Sequence, residues 1–289
     1  MSKEIQYYNS IEAAKILGVN VSTIKRWTDE GKLECIRSAG GHRKFVMSHL
    51  SKFLEENRRK TSKVNLFPLE NESDLKLSNH ILKGNFAYLI DYLKRQAMSC
   101  NRDKVQKVFN GLYLAQYPLH VIYDRVVTPL LREFGKLWAE GKLTVVEEHL
   151  ATSTLRDGIE RLQGVIALPG KKQGQALCLS MSAEMHDIAL KMVAHILEVR
   201  GFKVLYTGQN TPVLSFDQLL KNYKINRICV SSTYVTDKEF SQKEFDIICQ
   251  LAAENGIEVY VGGNGFDILN FDHPTVVKRI FSFEEVSLV

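Results

Sequence analysis

The chemistry of this chain is concentrated in Glu184-Met185-His186-Asp187-Ile188-Ala189, between a short apolar run and a long helical pattern. A neutral imidazole at a strand-to-helix turn can give one ring nitrogen to a metal while a carboxylate two residues earlier holds the other nitrogen. A lone histidine near a helix start more often caps the helix or meets solvent, so the rest of the chain decides which reading holds. A second group is Trp138 with Glu148-His149; alone, these read as a core tryptophan and a solvated helix start.

The elements that must position His186 change period near residue 170. Ala176–Met181, Lys203–Thr207, Arg227–Ser231 and Ile257–Val261 read as strands, and residues 186–200, 215–222 and 238–254 as helices, the second opened by a Ser215 cap. Strand alternating with helix, and Gly at strand ends, predicts a parallel, doubly wound Rossmann-like sheet that binds ligands at the carboxyl ends of its strands. The loops there hold His186, Gln209-Asn210-Thr211-Pro212, Ser231-Ser232-Thr233 and Gly262-Gly263. From Leu77 to about Leu168, apolar spacings of three and four predict a bundle of four helices and a shorter piece, broken near Gly84, Asn101, Pro118 and Gly141.

The amino-terminal segment has another character. Residues 1–60 hold 12 Lys or Arg against 7 Asp or Glu, which accounts for the whole net charge of +5, as a small nucleic-acid-binding module requires. Ser10–Gly18 reads as a helix with a serine cap and Ile11, Ala14 and Leu17 inward. Ser22 is expected to cap a second helix, in which Ile24 and Trp27 pack inward. Its polar face offers Ser22, Thr23, Lys25 and Arg26 to base edges and phosphates. Leu33–Arg37 and Lys44–Val46 flank a glycine-containing tip with His42, Arg43 and Lys44, a wing suited to the phosphate backbone. A third helix is expected from Ser48 to about Lys60, then a polar, proline-containing linker.

At 289 residues the chain fits two or three domains, predicted as 1–60, a linker 61–75, 76–169 and 170–289. No apolar run reaches the about 18 residues of a membrane span, and residues 1–6 lack the apolar core of a secretory signal, so a cytoplasmic protein without membrane association is expected. Five widely spaced cysteines with no C-x-x-C pair suggest neither a disulfide framework nor a structural zinc site.

With its Ala-Ala-x-x-Leu-Gly-Val turn and Gly-Gly-His-Arg-Lys-Phe tip, residues 7–58 resemble the winged helix-turn-helix domain of the MerR family. The pattern Glu184-x-His186-x-x-Ala189, 41 residues, Ser231-x-Thr233, 28 residues, Gly262-Gly263 resembles a cobalamin-binding signature. Trp138 followed after nine residues by Glu148-His149 resembles the cap of the light-responsive, cobalamin-dependent repressors. These resemblances imply a cobalamin, adenosyl- or methylcobalamin, whose cobalt takes His186 as lower ligand in place of the cofactor's own base, with Glu184 and Asp187 beside it. They further imply that Ser231, Thr233, Gly262 and Gly263 admit the displaced nucleotide tail, while Trp138, Glu148 and His149 line the upper face.

This chain departs from the pattern at two positions. Ala189 stands where the signature has Gly, and Ala139 where light-responsive members have the His that takes cobalt after the upper ligand leaves. Either His149 substitutes for that His, or the protein responds to cofactor occupancy and form instead of light. The resulting expectation is a non-enzymatic regulator of a double-stranded DNA operator, self-associating as a dimer or tetramer and controlled by cobalamin. Two alternatives stay open: a DNA-binding regulator whose sensor half binds another ligand or a protein, and a corrinoid carrier for methyl transfer.

Overall fold

The computed structural model describes residues 7–57, 72–170, 173–214 and 216–289. The chain forms two compact units, Met1–Ala167 and Leu168–Val289, described in turn.

The first helix, α1 (Ser10–Leu17), starts on Asn9, which pairs with β3 as part of the short strand β1 (Tyr8–Asn9). The Asn9 side chain accepts from the Ile11 and Glu12 amides, and the Glu12 carboxylate accepts from the Asn9 amide. The cap is therefore Asn9, and Ser10 is the first helical residue: one asparagine earlier in the chain satisfies two donors that Ser10 was expected to serve. The buried face runs through Ala13, Ala14, Ile16 and Leu17. At 100° per residue Ile11 lies off that face, and it is 57% exposed instead of inward.

Helix α2 (Val21–Asp29) begins on Asn20 without a side-chain cap, which places Ser22 inside its first turn instead of at the cap. Ile24 is fully buried, and the Trp27 ring packs 4.6 Å from that of Phe53 in α3 (Met47–Glu56). The wing strands, β2 (Ile36–Arg37) and β3 (Arg43–Phe45), are shorter than expected and form an antiparallel sheet in the order β1-β3-β2. Residues 58–71, which carry the expected end of the third helix and most of the linker, lie outside the described residues, and α3 ends at Glu56.

The bundle begins at α4 (Glu72–Leu82), inside the stretch read as linker. Glu72 and Asp74 favour a helix start there, and Asp74 accepts from Lys107 at 2.7 Å. Next come α5 (Phe86–Met98) and α6 (Arg102–Leu114). The short α7 (Leu119–Ile122) continues through a π turn at Tyr123–Val127 into α8 (Thr128–Ala139), and α9 (Val145–Gln163) follows. Leu93, Phe109, Tyr123, Leu130, Phe134 and Leu155 are fully buried in its core.

In the second unit β4 (Gly174–Ser180), α10 (Ile188–Val199), β5 (Phe202–Gly208), α11 (Phe216–Asn222) and β6 (Arg227–Ser231) are followed by α12 (Lys238–Glu254) and β7 (Glu258–Gly262). An edge strand, β8 (Val276–Ile280), and a final helix, α13 (Phe283–Leu288), were not anticipated: β8 is only partly buried and has no continuous apolar run. Ser215, the expected cap of α11, lies outside the described residues.

All five strands described here are parallel, in the order β5-β4-β6-β7-β8, so connections leave β4 and β6 in opposite directions and open a switch point at their carboxyl ends. Leu177, Leu179, Ile228, Val230, Val259 and Val261 form one core with Phe216, Phe245 and Ile248; α10 packs on β4, β5 and β6. Among the described residues no helix is long and apolar enough to cross a membrane.

Close approach fixes the turn after β7. Gly263 has φ 99°, and a Cβ there would lie 2.1 Å from the Ser232 carbonyl oxygen, whereas a Cβ on Gly262 would meet only Ile280 O at 3.5 Å. Gly263→Ala is therefore expected to cost roughly 2 kcal/mol or more and Gly262→Ala less than about 1 kcal/mol, as measured by denaturant unfolding.

Candidate functional site

The loop between β4 and α10 is built around one buried carboxylate. Glu184 is 3% exposed; its Oε1 accepts from the His186 amide at 2.8 Å and meets His186 Nδ1 at 2.7 Å. Its Oε2 accepts from the amides of Thr233 and Tyr234, the latter at 2.9 Å. Burial alone would raise the Glu184 pKa, but the hydrogen bonds from the His186 ring and from the amides of Tyr234, His186 and Thr233 outweigh it and hold the carboxyl below the ordinary glutamate value. A charged carboxylate requires the proton on Nδ1, which makes Nε2 the coordinating nitrogen of the ring. The His186 side chain is 64% exposed, outside the helix, because α10 starts only at Ile188.

Neighbouring loops fix the same segment. Asn210, at φ 48°, accepts from the Ala183 amide at 2.8 Å and donates its own amide to Glu184 O at 2.9 Å. Ala183 is itself held at φ 65°. Asp187 is buried: it accepts from Tyr206 Oη at 3.0 Å and from Gln209 Nε2 at 3.3 Å. From α12, both Glu244 carboxylate oxygens grip Ser182, one accepting from its hydroxyl at 2.6 Å and the other from its amide at 3.1 Å. Ala189 lies exposed in the first turn of α10.

The structure thus brings Glu184, His186, Asp187, Ser231, Thr233, Gly262 and Gly263 to one edge of the sheet. Thr233 reaches the histidine loop through its backbone amide, while Ser231 is buried and registered between Ser180 and Gly262. Gly263 is required by Ser232 of the same chain, as is Gly265, whose Cβ would lie 2.1 Å from Ser232 Oγ. Sequence reading missed Tyr234, Glu244, Ser182 and Gly265. Their contacts are backbone or long-range, and only the Asn210 loop carried a local signal.

In the first unit, a turn closed by Gly141 N–H to Trp138 O at 2.9 Å joins Trp138, in the last turn of α8, to the start of α9. Trp138 is 51% exposed, not core, and Val146 and Leu150 of α9 are also exposed. Thr144 and Glu147 form a capping box at the start of α9. Glu148 accepts from Thr152 Oγ1 at 2.6 Å and lies 3.7 Å from His149 Nε2.

On the helix-turn-helix, Ser22, Lys25, Arg26, His42 and Lys44 are exposed and Thr23 is half-buried. Arg43 is committed elsewhere: its Nε donates to Thr28 Oγ1 at 2.7 Å and its guanidinium pairs with Asp29 at 2.5 Å. Asp29 also takes Arg37 at 3.1 Å, and its hydrogen bond with Arg43 contributes most to holding its carboxyl below the usual range. Arg43 therefore struts the wing against the end of α2. The exposed tip cation that remains on β3 is Lys44, 5.4 Å from the Tyr7 ring.

Because its folded pKa is depressed, Glu184 contributes stability that is fully present above the ordinary glutamate range and is lost as pH falls through the folded value. Glu184→Gln is expected to cost about 1–3 kcal/mol at neutral pH and to flatten this acid loss, measured by denaturant unfolding across the acid range.

Residues 7–58 match a family described as a helix-turn-helix domain, and residues 89–163, which contain Trp138, Glu148 and His149, match one described as a B12 binding domain. Over 263 residues, 87% of each chain, this protein is 24% identical to the HTH-type transcriptional repressor CarH of Myxococcus xanthus. It is 23% identical over 177 residues, 61% of this chain and 82% of the relative, to dimethylamine corrinoid protein 2 of Methanosarcina mazei. The solved monomethylamine corrinoid protein of Methanosarcina barkeri is similar at a TM-score of 0.56 with 14% identity, covering 70% of this chain and 96% of that one, a likeness of fold. One polypeptide therefore joins a helix-turn-helix segment to a B12-binding-type helical segment and a doubly wound parallel sheet.

Proposed function

We propose that this protein is a DNA-binding transcriptional regulator of MerR type whose affinity for its operator responds to a bound cobalamin. The observation that carries the reading is the Glu184–His186 pair: a buried carboxylate holds an exposed imidazole by Nδ1 at the switch point of the sheet. Second-row partners of this kind orient a metal-bound histidine and raise its basicity. The same edge offers the lateral row Ser180, Ser231 and Gly262, and Ser180 Oγ is buried with no hydrogen-bond partner among the described residues. Such a row suits a polar ligand segment.

In this reading His186 would supply an imidazole nitrogen to the cobalt, Glu184 and Asp187 would fix the loop that carries it, and Ser231, Thr233, Gly262 and Gly263 would border the nucleotide tail. Trp138, Val146 and Leu150 are exposed and apolar, beside Glu148 and His149, a surface of the kind that an apolar ligand group covers. A bound alkylcobalamin supplies a cobalt–carbon bond whose presence or loss distinguishes two cofactor forms. The protein reads that difference by changing its self-association, as a dimer or tetramer, and hence its grip on DNA. The functional divisions are the amino-terminal module to residue 60, the bundle from α4 at Glu72 to 169, and the sheet from 170 to 289.

Ser22, Thr23, Lys25 and Arg26 meet the major groove, with His42 and Lys44 on phosphates and Arg43 positioning the wing. With Ala139 beside Trp138, a light response runs through His149, or the signal is cofactor occupancy and form. The relatives named as corrinoid proteins favour a second reading, a methyl-transfer carrier, for the bundle and sheet. The helix-turn-helix segment at 7–58 weighs against it.

Purified full-length chain mixed with methyl- or adenosylcobalamin should give the absorption change of base-off, histidine-on ligation, and His186→Ala should abolish it. Loading should also shift operator affinity, and Arg26→Ala should reduce the salt dependence of DNA binding by about one phosphate contact. Absence of cobalamin binding would sink the reading, and cobalamin binding without any effect on DNA would favour the carrier. Illuminating the loaded protein with and without His149→Ala separates the two signals: an identical photoproduct removes His149 from the account.

A further inference from the structure

The loop that carries His186 opens on a tight turn. The Glu184 amide donates to Met181 O at 3.2 Å, closing the four residues Met181–Glu184, and Ala183, third in the turn, has φ 65°. A turn that needs a positive φ at its third position ordinarily takes Gly there, because a Cβ makes the left-handed region unfavourable. Such a backbone persists only where its surroundings over-determine it. Here two side chains do. Asn210 Oδ1 accepts from the Ala183 amide at 2.8 Å, and Glu244 of α12 accepts from the hydroxyl of the preceding Ser182 at 2.6 Å and from its amide at 3.1 Å. Glu244 is only 8% exposed, and a carboxylate leaves water at a high cost unless donors replace it; the two donors it meets both belong to Ser182. The turn ends on Glu184, whose Oε1 meets His186 Nδ1 at 2.7 Å. The contacts therefore run in one line, from Glu244 through the strained turn to Glu184 and the imidazole.

We propose that Glu244 is a positioning residue for His186: by gripping Ser182 it holds the Met181–Glu184 turn in its left-handed form, and the turn delivers the Glu184 carboxylate to the imidazole. What His186 then binds rests on the cobalamin reading above, whereas the positioning is a property of the protein before any ligand arrives. It makes the orientation of His186 depend on a helix that follows β6, 58 residues further along the chain than the histidine itself. A histidine set in advance binds its ligand without the conformational cost of ordering the loop.

The test uses nuclear magnetic resonance of full-length protein labelled in histidine with the heavy nitrogen isotope, first without ligand and then titrated with methylcobalamin; His186→Ala identifies the His186 ring signals by their loss. In ligand-free wild type those signals should show one tautomer, with the proton on Nδ1. Glu244→Gln keeps the size of the side chain but turns one of its two acceptors into a donor. It should move the His186 signals toward the average of the two tautomers and weaken methylcobalamin binding roughly 5- to 10-fold. Adding Ala183→Gly to Glu244→Gln should restore most of both, because glycine takes the turn's positive φ without the clasp. Ser182→Ala, which removes only the hydroxyl partner, should act in the same direction as Glu244→Gln and stands in for it if that variant does not fold. A Glu244 that merely stabilises the fold would lower the unfolding midpoint and leave the His186 signals of the folded protein in place, and that result would overturn the proposal. So would a shift that Ala183→Gly does not rescue. Wild type that shows the single tautomer but binds no methylcobalamin would instead overturn the cobalamin reading and leave the positioning standing.

Discussion

The loops at the carboxyl ends of β4 and β6 depend on the buried Glu184 carboxylate. Glu184 gathers hydrogen bonds from the His186 ring, the His186 amide and the amides of Thr233 and Tyr234. Those four donors come from two loops that follow two different strands, so a single carboxylate joins the carboxyl ends of β4 and β6. A buried carboxylate is tolerated only where such donors replace its water, and here they more than offset its desolvation. The same bonds that make the charge admissible also fix the imidazole. Stability of the loop and orientation of the candidate metal ligand are therefore one interaction, which any substitution at Glu184 disturbs together.

Part of this was legible in the sequence because it is local. Glu184 and His186 are two residues apart, and a strand-to-helix turn brings such a pair into contact whatever surrounds it. The parallel sheet was legible from alternating periods and glycine-ended strands. What stayed hidden is long-range or made of backbone. Glu244 holds Ser182 across 62 residues, and Tyr234 acts through an amide that every residue type but proline carries. Ser180 sits at the end of an apolar run where a serine gives no sign of being unbonded. The resemblance assigns Gly263 to admitting a nucleotide tail, but the group that approaches it in the structure is the Ser232 carbonyl of its own chain.

The amino-terminal module shows the same economy. Arg43 was readable as a basic wing residue, yet an aspartate at the end of the recognition helix, fourteen residues earlier, captures it. Asp29 binds Arg37 and Arg43 together, so β2 and β3 are set against α2, and in the proposed function this frame would present the exposed cations Lys25, Arg26 and Lys44 to DNA. Pre-ordering of this kind lowers the conformational cost of binding. In the sheet, a buried anion arranges a histidine; in the wing, an exposed one arranges two arginines.

The central claim is that His186 supplies the lower nitrogen of a bound cobalamin. Electron paramagnetic resonance of the cobalt(II) form bound to full-length protein, prepared with histidine carrying the heavy, spin-one-half nitrogen isotope, tests it most directly. The account predicts that each cobalt hyperfine line, a triplet with ordinary histidine, becomes a doublet with labelled histidine, and that the doublet is lost in His186→Ala. A triplet that survives labelling would assign the axial nitrogen to the cofactor's own base and contradict the account.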